Sequence, residues 1–330
     1  MAKNNKIAII TLILLLVFLN GCSNEPKKVY QVGILSGLDF FEATIDGFKE
    51  EMESLGYTEG ENIIYDIEKS NFDMQAYESI IQRFIENEVD LIFVFPTDAS
   101  IVAKETSEGA GIPIVFANAF TENTGLVDSI RKPGSDITGV RWNGPAIALE
   151  RLEIMLELVP DAKRIIIPYQ KDYPIVKSQI EALKPVIKEK NLTMIDVPSE
   201  NADDLKNKLD EINNPEINST DVILLIAEPL CVTPDSFLVL GEYADQNNVV
   251  YGGAFMSVEG HESLFGVTPK NIPQGKQAAF LANKILNGIP AGSIPVVSAE
   301  NFFLFNYKKA QEMQISVNEH LLIRADEIIE

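Results

Sequence analysis

From Val29 onward, short apolar runs rich in β-branched residues alternate with longer stretches of helical periodicity, and few architectures accommodate that alternation. It reads as successive βαβ units and hence as parallel sheet. Strands are expected at 29–35 (VYQVGIL), 62–68, 91–95 (LIFVF) and 113–117 (PIVFA). Between them Phe41, Ile45, Phe48, Met52 and Leu55 form one apolar helical stripe, which Gly56 can cap. Tyr77, Ile80, Ile81, Phe84 and Ile85 form a second. LIFVF is apolar throughout, as a central strand covered on both faces should be.

The second half repeats the theme, with strands at 164–168, 192–197, 221–226 and 249–251 and helices near 174–190, 201–213 and 234–247. Two similar halves imply two lobes. The Gly- and Pro-rich segment 132–146 places one crossing between them. A strand near 264–267, a helix near 272–287 and the run GIPAGSIP imply two more crossings, so lobe 1 is expected over 29–140 plus about 265–295 and lobe 2 over about 141–264 plus 296–330. Three crossings make a hinge stiff in twist and soft in bending, suited to closure about a ligand.

Ahead of this body, Lys3 and Lys6 precede an apolar run from Ile7 to Leu19, too short for a spanning helix of about 20 residues but right for the core of an export signal. Leu19-Asn20-Gly21-Cys22 resembles a bacterial lipobox. Residues 1–21 are then a signal peptide, Cys22 the lipidated N-terminus and 22–28 a tether. Two acyl chains there would anchor the chain stably at the extracytoplasmic face of the cell membrane. Cys231 is left without a partner and is expected to pack as a small buried hydrophobe.

The chain carries 27 Lys and Arg against 49 Asp and Glu, a net charge of −22, which repels phosphate and argues against nucleic acid as a partner. The motif search for catalysis finds no GxGxxG after a strand, no GxxxxGK[ST] and no GxSxG. The two His residues, His261 and His320, are too few and too far apart for a metal cluster or a catalytic triad. No enzyme, catalytic residue, metal or cofactor is expected. Ligands of open α/β sheets bind beyond the carboxyl ends of the strands, where helix N-termini also point. Those ends hold Leu38, Asp39 and Phe40, then Thr97, Asp98 and Ala99, then Asn118 and Ala119 in the first lobe. In the second they hold Tyr169, Tyr173, Glu228, Phe255 and Met256. Polar groups that can orient a small solute thus alternate with aromatics that can cover it.

Several segments resemble ABC-importer substrate-binding lipoproteins of the tryptophan/tyrosine-binding type: LGYTEGENI (55–63), VDLIFVFPTDAS (89–100), IPIVFANAFTENTGLV (112–127), RKPGSDITGV (131–140) and ILNGIPAGSIPV (285–296). RKPGSDITGV is the most specific. The resemblance implies a type I periplasmic-binding-protein fold, with two Rossmann-like lobes, parallel sheets and one solute in the cleft. It places Tyr169 at a ligand-contacting Tyr and Glu228 near an ammonium-binding acid, while Gln170 to Tyr173 stand where the family has a Ser cluster. The expected function is capture of a small organic solute, an aromatic or other apolar amino acid first and a nucleoside second. Delivery would be to an ABC permease with its cytoplasmic ATPase, by a monomer. A receptor subunit of a membrane sensory system is the alternative, and an exported enzyme a remote one.

Overall fold

The computed structural model describes residues 28–70, 73–212 and 221–330. Cys22 and the leader lie outside them. In chain order the first elements are β1 (Tyr30–Ser36), α1 (Ala43–Ser54), β2 (Ile63–Lys69), α2 (Met74–Glu86), β3 (Leu91–Phe95), α3 (Thr97–Thr106), β4 (Ile114–Phe120) and β5 (Ile137–Trp142). Then come α4 (Gly144–Leu158), β6 (Arg164–Gln170), α5 (Val176–Glu189), β7 (Thr193–Ser199), α6 (Ala202–Ile212), β8 (Asp221–Leu224), α7 (Pro234–Asn247) and β9 (Val250–Gly252). The chain ends with β10 (Ser257–Val258), β11 (His261–Glu262), β12 (Phe265–Pro269), α8 (Asn271–Leu286), β13 (Val297–Ser298), β14 (Asn301–Asn306), α9 (Tyr307–Glu312), α10 (Glu319–Arg324) and β15 (Glu327–Ile329).

Two parallel sheets form the lobes, in the orders β13-β5-β4-β3-β1-β2 and β7-β6-β8-β9. β3 shows why the first is parallel. Leu91, Phe93 and Phe95 pack on one face with α1 and α8, Ile92 and Val94 on the other with α2 and α3, so the strand is apolar on both sides. Local chemistry sets the helix starts: Asp73 accepts from the Gln75 N–H at 3.0 Å ahead of α2, and Asn143 from the Ala146 N–H at 3.4 Å ahead of α4.

The chain passes between the sheets three times, near residues 143, 270 and 300. These positions revise the expected lobe boundaries. β12 does not join the first lobe: it pairs antiparallel with β14, and Phe265 and Val267 sit in the core shared with α4 and α5. The first lobe instead receives α8 and β13, whose Val297 pairs with Val140 of β5, and β5 itself runs on to Trp142. An apolar run such as LFGV carries no record of its distant partner, which is why sequence alone misplaces it.

α8 locks onto α1 at backbone contact. A Cβ on Gly47 would lie 2.1 Å from the Ile272 carbonyl oxygen, and one on Gly275 2.1 Å from that of Thr44, so both glycines are sterically required. β4 also departs from the expected 113–117: it continues to Phe120 with a register shift between Phe116 and Ala119, and Asn118 there has φ 49. β8 is shorter than expected, ending at Leu224, which frees 225–229 to form a loop at the strand end.

Candidate functional site

The first-lobe wall is built from three strand ends. After β1, Gly37 has no room for a side chain, since a Cβ would stand 2.6 Å from the Tyr77 hydroxyl and 2.7 Å from Pro96. The Ser36 hydroxyl donates to the Leu38 carbonyl at 3.1 Å, turning the chain so that Leu38 leans on the core. Asp39 is exposed and Phe40 is 73% exposed, with its carbonyl held by the Asn271 side chain at 2.8 Å. Phe41, edge-on to Phe40 at 5.1 Å, belongs to the core.

After β3, Thr97 accepts the Phe120 N–H at 3.1 Å and ties the ends of β3 and β4 together. Asp98 stands in the first turn of α3, half-buried, and that burial raises its carboxyl pKa. Ala99 and Ala119, expected in the wall, are fully buried between the sheet and α2–α3, so their side chains cannot reach a solute. Asn118 is 2% exposed: its amide donates to the Thr44 hydroxyl at 2.7 Å, and its carbonyl oxygen has no hydrogen-bond partner among the described residues.

The second-lobe wall is held by side chains the sequence did not single out. Gln179 of α5, fully buried, donates to the Ala227 carbonyl at 2.7 Å and accepts the Ala227 N–H at 3.0 Å, fixing the loop after β8. Arg151 of α4, 2% exposed, donates to the carbonyls of Leu225 at 2.9 Å and Val267 at 3.0 and 2.6 Å. Burial pulls its guanidinium down to about 9, which leaves it protonated at neutral pH.

Glu228 is 6% exposed and accepts three backbone N–H groups, from Gln170 and Leu230 at 2.9 Å and from Cys231 at 2.7 Å. The Cys231 thiol sits beside the same carboxylate and reaches the Pro168 carbonyl at 3.5 Å; it is fully buried, with its pKa raised by desolvation first. A carboxylate offers about four acceptor positions, and here three are taken by backbone N–H groups, two from its own loop and one from the end of β6. Desolvation still outweighs those bonds and raises the Glu228 pKa. Tyr169 is half-buried against the α4–α5 core, and Met256 packs on the opposite core with α6 and α7. Phe255 is half-buried, with its backbone nitrogen and Cβ close over Gly266.

Tyr173 joins the two walls. Burial raises the pKa of its hydroxyl, helped by the charges of Asp98 from the first lobe and Glu228 from the second, so it stays a neutral donor. Around it an apolar cluster spans the lobes: Phe120 of β4, Ile147 of α4, Ile175 and Ala227, with Trp142 against them. Trp142 stands where the chain first leaves the first lobe, its ring 5.6 Å from Phe120 and 6.1 Å from Phe41, and its indole N–H donates to Gln274 of α8 at 2.7 Å. One signal pointed to it: it is the only Trp in the chain and lies inside the Gly- and Pro-rich crossing. A cavity of about 280 Å³ exists at the opposite end of the first sheet, lined by Lys104, Ser107, Ile112 and Asp136 among others. It has no aromatic in its lining and lies at the amino ends of β4 and β5, away from the charges that flank Tyr173.

Known proteins resemble the chain over nearly its whole length. A tyrosine-binding protein of Clostridioides difficile is 26% identical across 99% of this chain and 98% of its own. An ABC domain from Streptococcus pneumoniae solved in complex with L-Trp superposes with a TM-score of 0.75 at 18% identity, covering 92% of this chain and all of that one. The ligand-free, open structure of a Clostridium difficile substrate binding protein with adhesive properties gives 0.73 at 22%, covering 91% and 99%. The fold is that of the two-lobed type I periplasmic binding proteins, as the myo-inositol-bound ABC transporter solute binding protein of Bacillus halodurans, at TM-score 0.62, also shows. The family model for ABC transporter substrate binding proteins matches residues 32–329, and the chain belongs to that family.

Proposed function

We propose that this substrate-binding protein captures an aromatic or other apolar amino acid between its lobes. The observation that carries the reading is the cluster across the lobes in which Tyr173 packs with Phe120 and Trp142, its hydroxyl within reach of the charges of Asp98 and Glu228. Closing the lobes over a planar side chain would stack it among these rings, each aromatic pair contributing about 0.5–1.5 kcal/mol beyond area burial. The ligand shifts the open–closed equilibrium by no more than its preference for the closed form. The tyrosine- and L-Trp-binding relatives support the same solute class. The loaded protein delivers its solute to the permease of an ABC importer. Lipidation at Cys22 holds the monomer at the extracytoplasmic face of the membrane, with the polar stretch 23–28 as tether.

The test uses the chain from Ser23 onward and titrates L-tyrosine, L-tryptophan, L-leucine, uridine and glucose by calorimetry, with native mass spectrometry of the purified protein. Saturable binding confined to the amino acids is expected. Binding of uridine or glucose alone would refute the solute class. Labelling with radioactive palmitate in a bacterial host checks the anchor: the full chain takes up label and Cys22→Ala does not.

A further inference from the structure

Among the described residues at the strand ends, the cationic side chains are paired and one half-buried carboxylate is not. The basic side chains of these segments are committed. Arg141 pairs with Glu122 and donates to Ser298, Arg151 is spent on the Leu225 and Val267 carbonyls, Lys171 pairs with Glu200 at 2.9 Å and Lys270 lies near Glu327 and over the Phe302 ring. In the loop after β6 the N–H groups at Gln170, Lys171, Tyr173 and Val176 are bonded to Glu228, Ser199, Gln170 and Tyr173 respectively and Pro174 has none, which leaves backbone N–H groups at Asp172 and Ile175 but no cation for a carboxylate. A solute carboxylate thus meets no unpaired cation on these segments, and the first-turn amides of α3 lie beside the carboxylate of Asp98 itself.

The acceptors show the reverse. Glu228 already accepts three backbone N–H groups. Asp98 has no salt bridge or hydrogen bond to its carboxylate among the described residues, yet it is half-buried next to Thr97, which holds Phe120 of the cluster that Tyr173 packs on. The Asn118 carbonyl oxygen, at the end of β4 beside Thr44 of α1, is buried with its residue and has no partner among the described residues. A buried acceptor without a donor costs roughly 1–3 kcal/mol, which a ligand N–H recovers on binding.

We infer that Asp98, and not Glu228, is the ionic anchor of the site, that it holds a protonated amine, and that the solute carboxylate is dispensable. The inference rests on the proposed aromatic-solute reading and sharpens it: the chemical class becomes aromatic primary amines, with aromatic amino acids as members that carry an extra group. Tyr173 and Tyr77 both feel the charge of Asp98, and their hydroxyl oxygens can accept from the ammonium, while Phe120 and Trp142, packed with Tyr173, cover the aromatic end.

The experiment is a matched series on the wild-type chain from Ser23 onward, titrated by calorimetry: L-tyrosine, tyramine, which lacks the carboxylate, and 3-(4-hydroxyphenyl)propionate, which lacks the amine. Tyramine is expected to bind within tenfold of L-tyrosine, and the propionate at least a hundredfold more weakly. Asp98→Asn is expected to lower affinity for tyramine and L-tyrosine by tenfold or more at an unchanged melting temperature. Should Asp98→Asn fail to fold, the wild-type series alone decides. L-tyrosine binding without tyramine binding, or a propionate that binds as well as tyramine, overturns the amine anchor and leaves the amino-acid reading standing. A series in which none of the three binds, together with no binding of L-tryptophan or L-leucine, overturns both.

Discussion

Gln179 offers the sharpest test of how the second-lobe wall is held. Its amide faces the backbone of Ala227, donating to the carbonyl and accepting the N–H, with 0% of the residue exposed. Gln179→Leu keeps the volume and removes both partners. The Ile175 carbonyl, the third group Gln179 touches, keeps the Ser178 hydroxyl at 3.1 Å, so two backbone groups are orphaned. At about 1–3 kcal/mol each the cost is roughly 4 kcal/mol. For a chain of this size, about 2–4 °C per kcal/mol makes that a fall of roughly 8–16 °C in Tm. Gln179→Glu separates hydrogen bonding from packing. A protonated Glu again offers one donor and one acceptor, whereas the carboxylate sets an anion against the Ala227 carbonyl. Burial raises the pKa of such a carboxyl in the folded state above its unfolded value of about 4.3. The sign follows: the variant approaches wild-type stability below that unfolded pKa and loses it as pH rises through the folded one. The assay is thermal and urea unfolding by circular dichroism between pH 4 and pH 8, with wild type at each pH as reference. A Gln179→Leu loss under 1 kcal/mol, or a Gln179→Glu deficit independent of pH, would refute the reasoning.

Other expectations follow from the same geometry. Gly275→Ala forces a Cβ to within 2.1 Å of the Thr44 carbonyl and should cost about 1–3 kcal/mol in urea unfolding, far more than the usual gain from Ala in a helix. Because Trp142 is the sole Trp and sits at the first crossing, its emission should shift on saturation with L-tyrosine and the shift should vanish in Trp142→Phe. In the chain from Ser23 onward, Cys231 is the only thiol; buried and with a raised pKa, it should react with Ellman's reagent only after denaturant is added, and reaction in the native state would contradict its placement. Burial raises the Asp98 carboxyl above its usual range, with Tyr77 and Tyr173 as the titratable groups facing it, so tyramine affinity should be full at neutral pH and fall on acidification sooner than for an ordinary aspartate. An affinity flat from pH 7 to pH 4 would refute that.

The alternation of β-rich runs and helical stripes was enough to read two parallel α/β lobes, because apolar period is a local property of the chain. LIFVF announced a strand covered on both faces, and Phe93 with Val94 duly divides its two sides between separate cores. Pairing across the chain was not legible. Nothing in LFGV distinguishes a strand of the first lobe from one that pairs with β14. The strand-end rule named Asp98, Tyr173 and Glu228 together with Ala99 and Ala119, whose side chains are fully buried, because it cannot tell an open strand end from core. Nor could it tell an unpaired carboxylate from one already bonded by backbone N–H groups, as Glu228 is. Gln179 and Arg151 escaped because a mid-helix Gln or Arg reads as solvated surface until the backbone it satisfies is in place.

The interleaving of the two lobes governs when each can form. The first lobe needs α8 to seat Gly275 against α1, and β13 to edge its sheet, so its core is incomplete until residue 298 is available. The second closes only with β14 and β15, the last strand ending at Ile329. A growing chain therefore exposes unpaired strand edges and apolar helix faces until residue 298 for the first lobe and Ile329 for the second, and neither half can finish early. A polypeptide that cannot finish early stays threadable, so a narrow translocation channel would meet an extended strand in place of a finished globule.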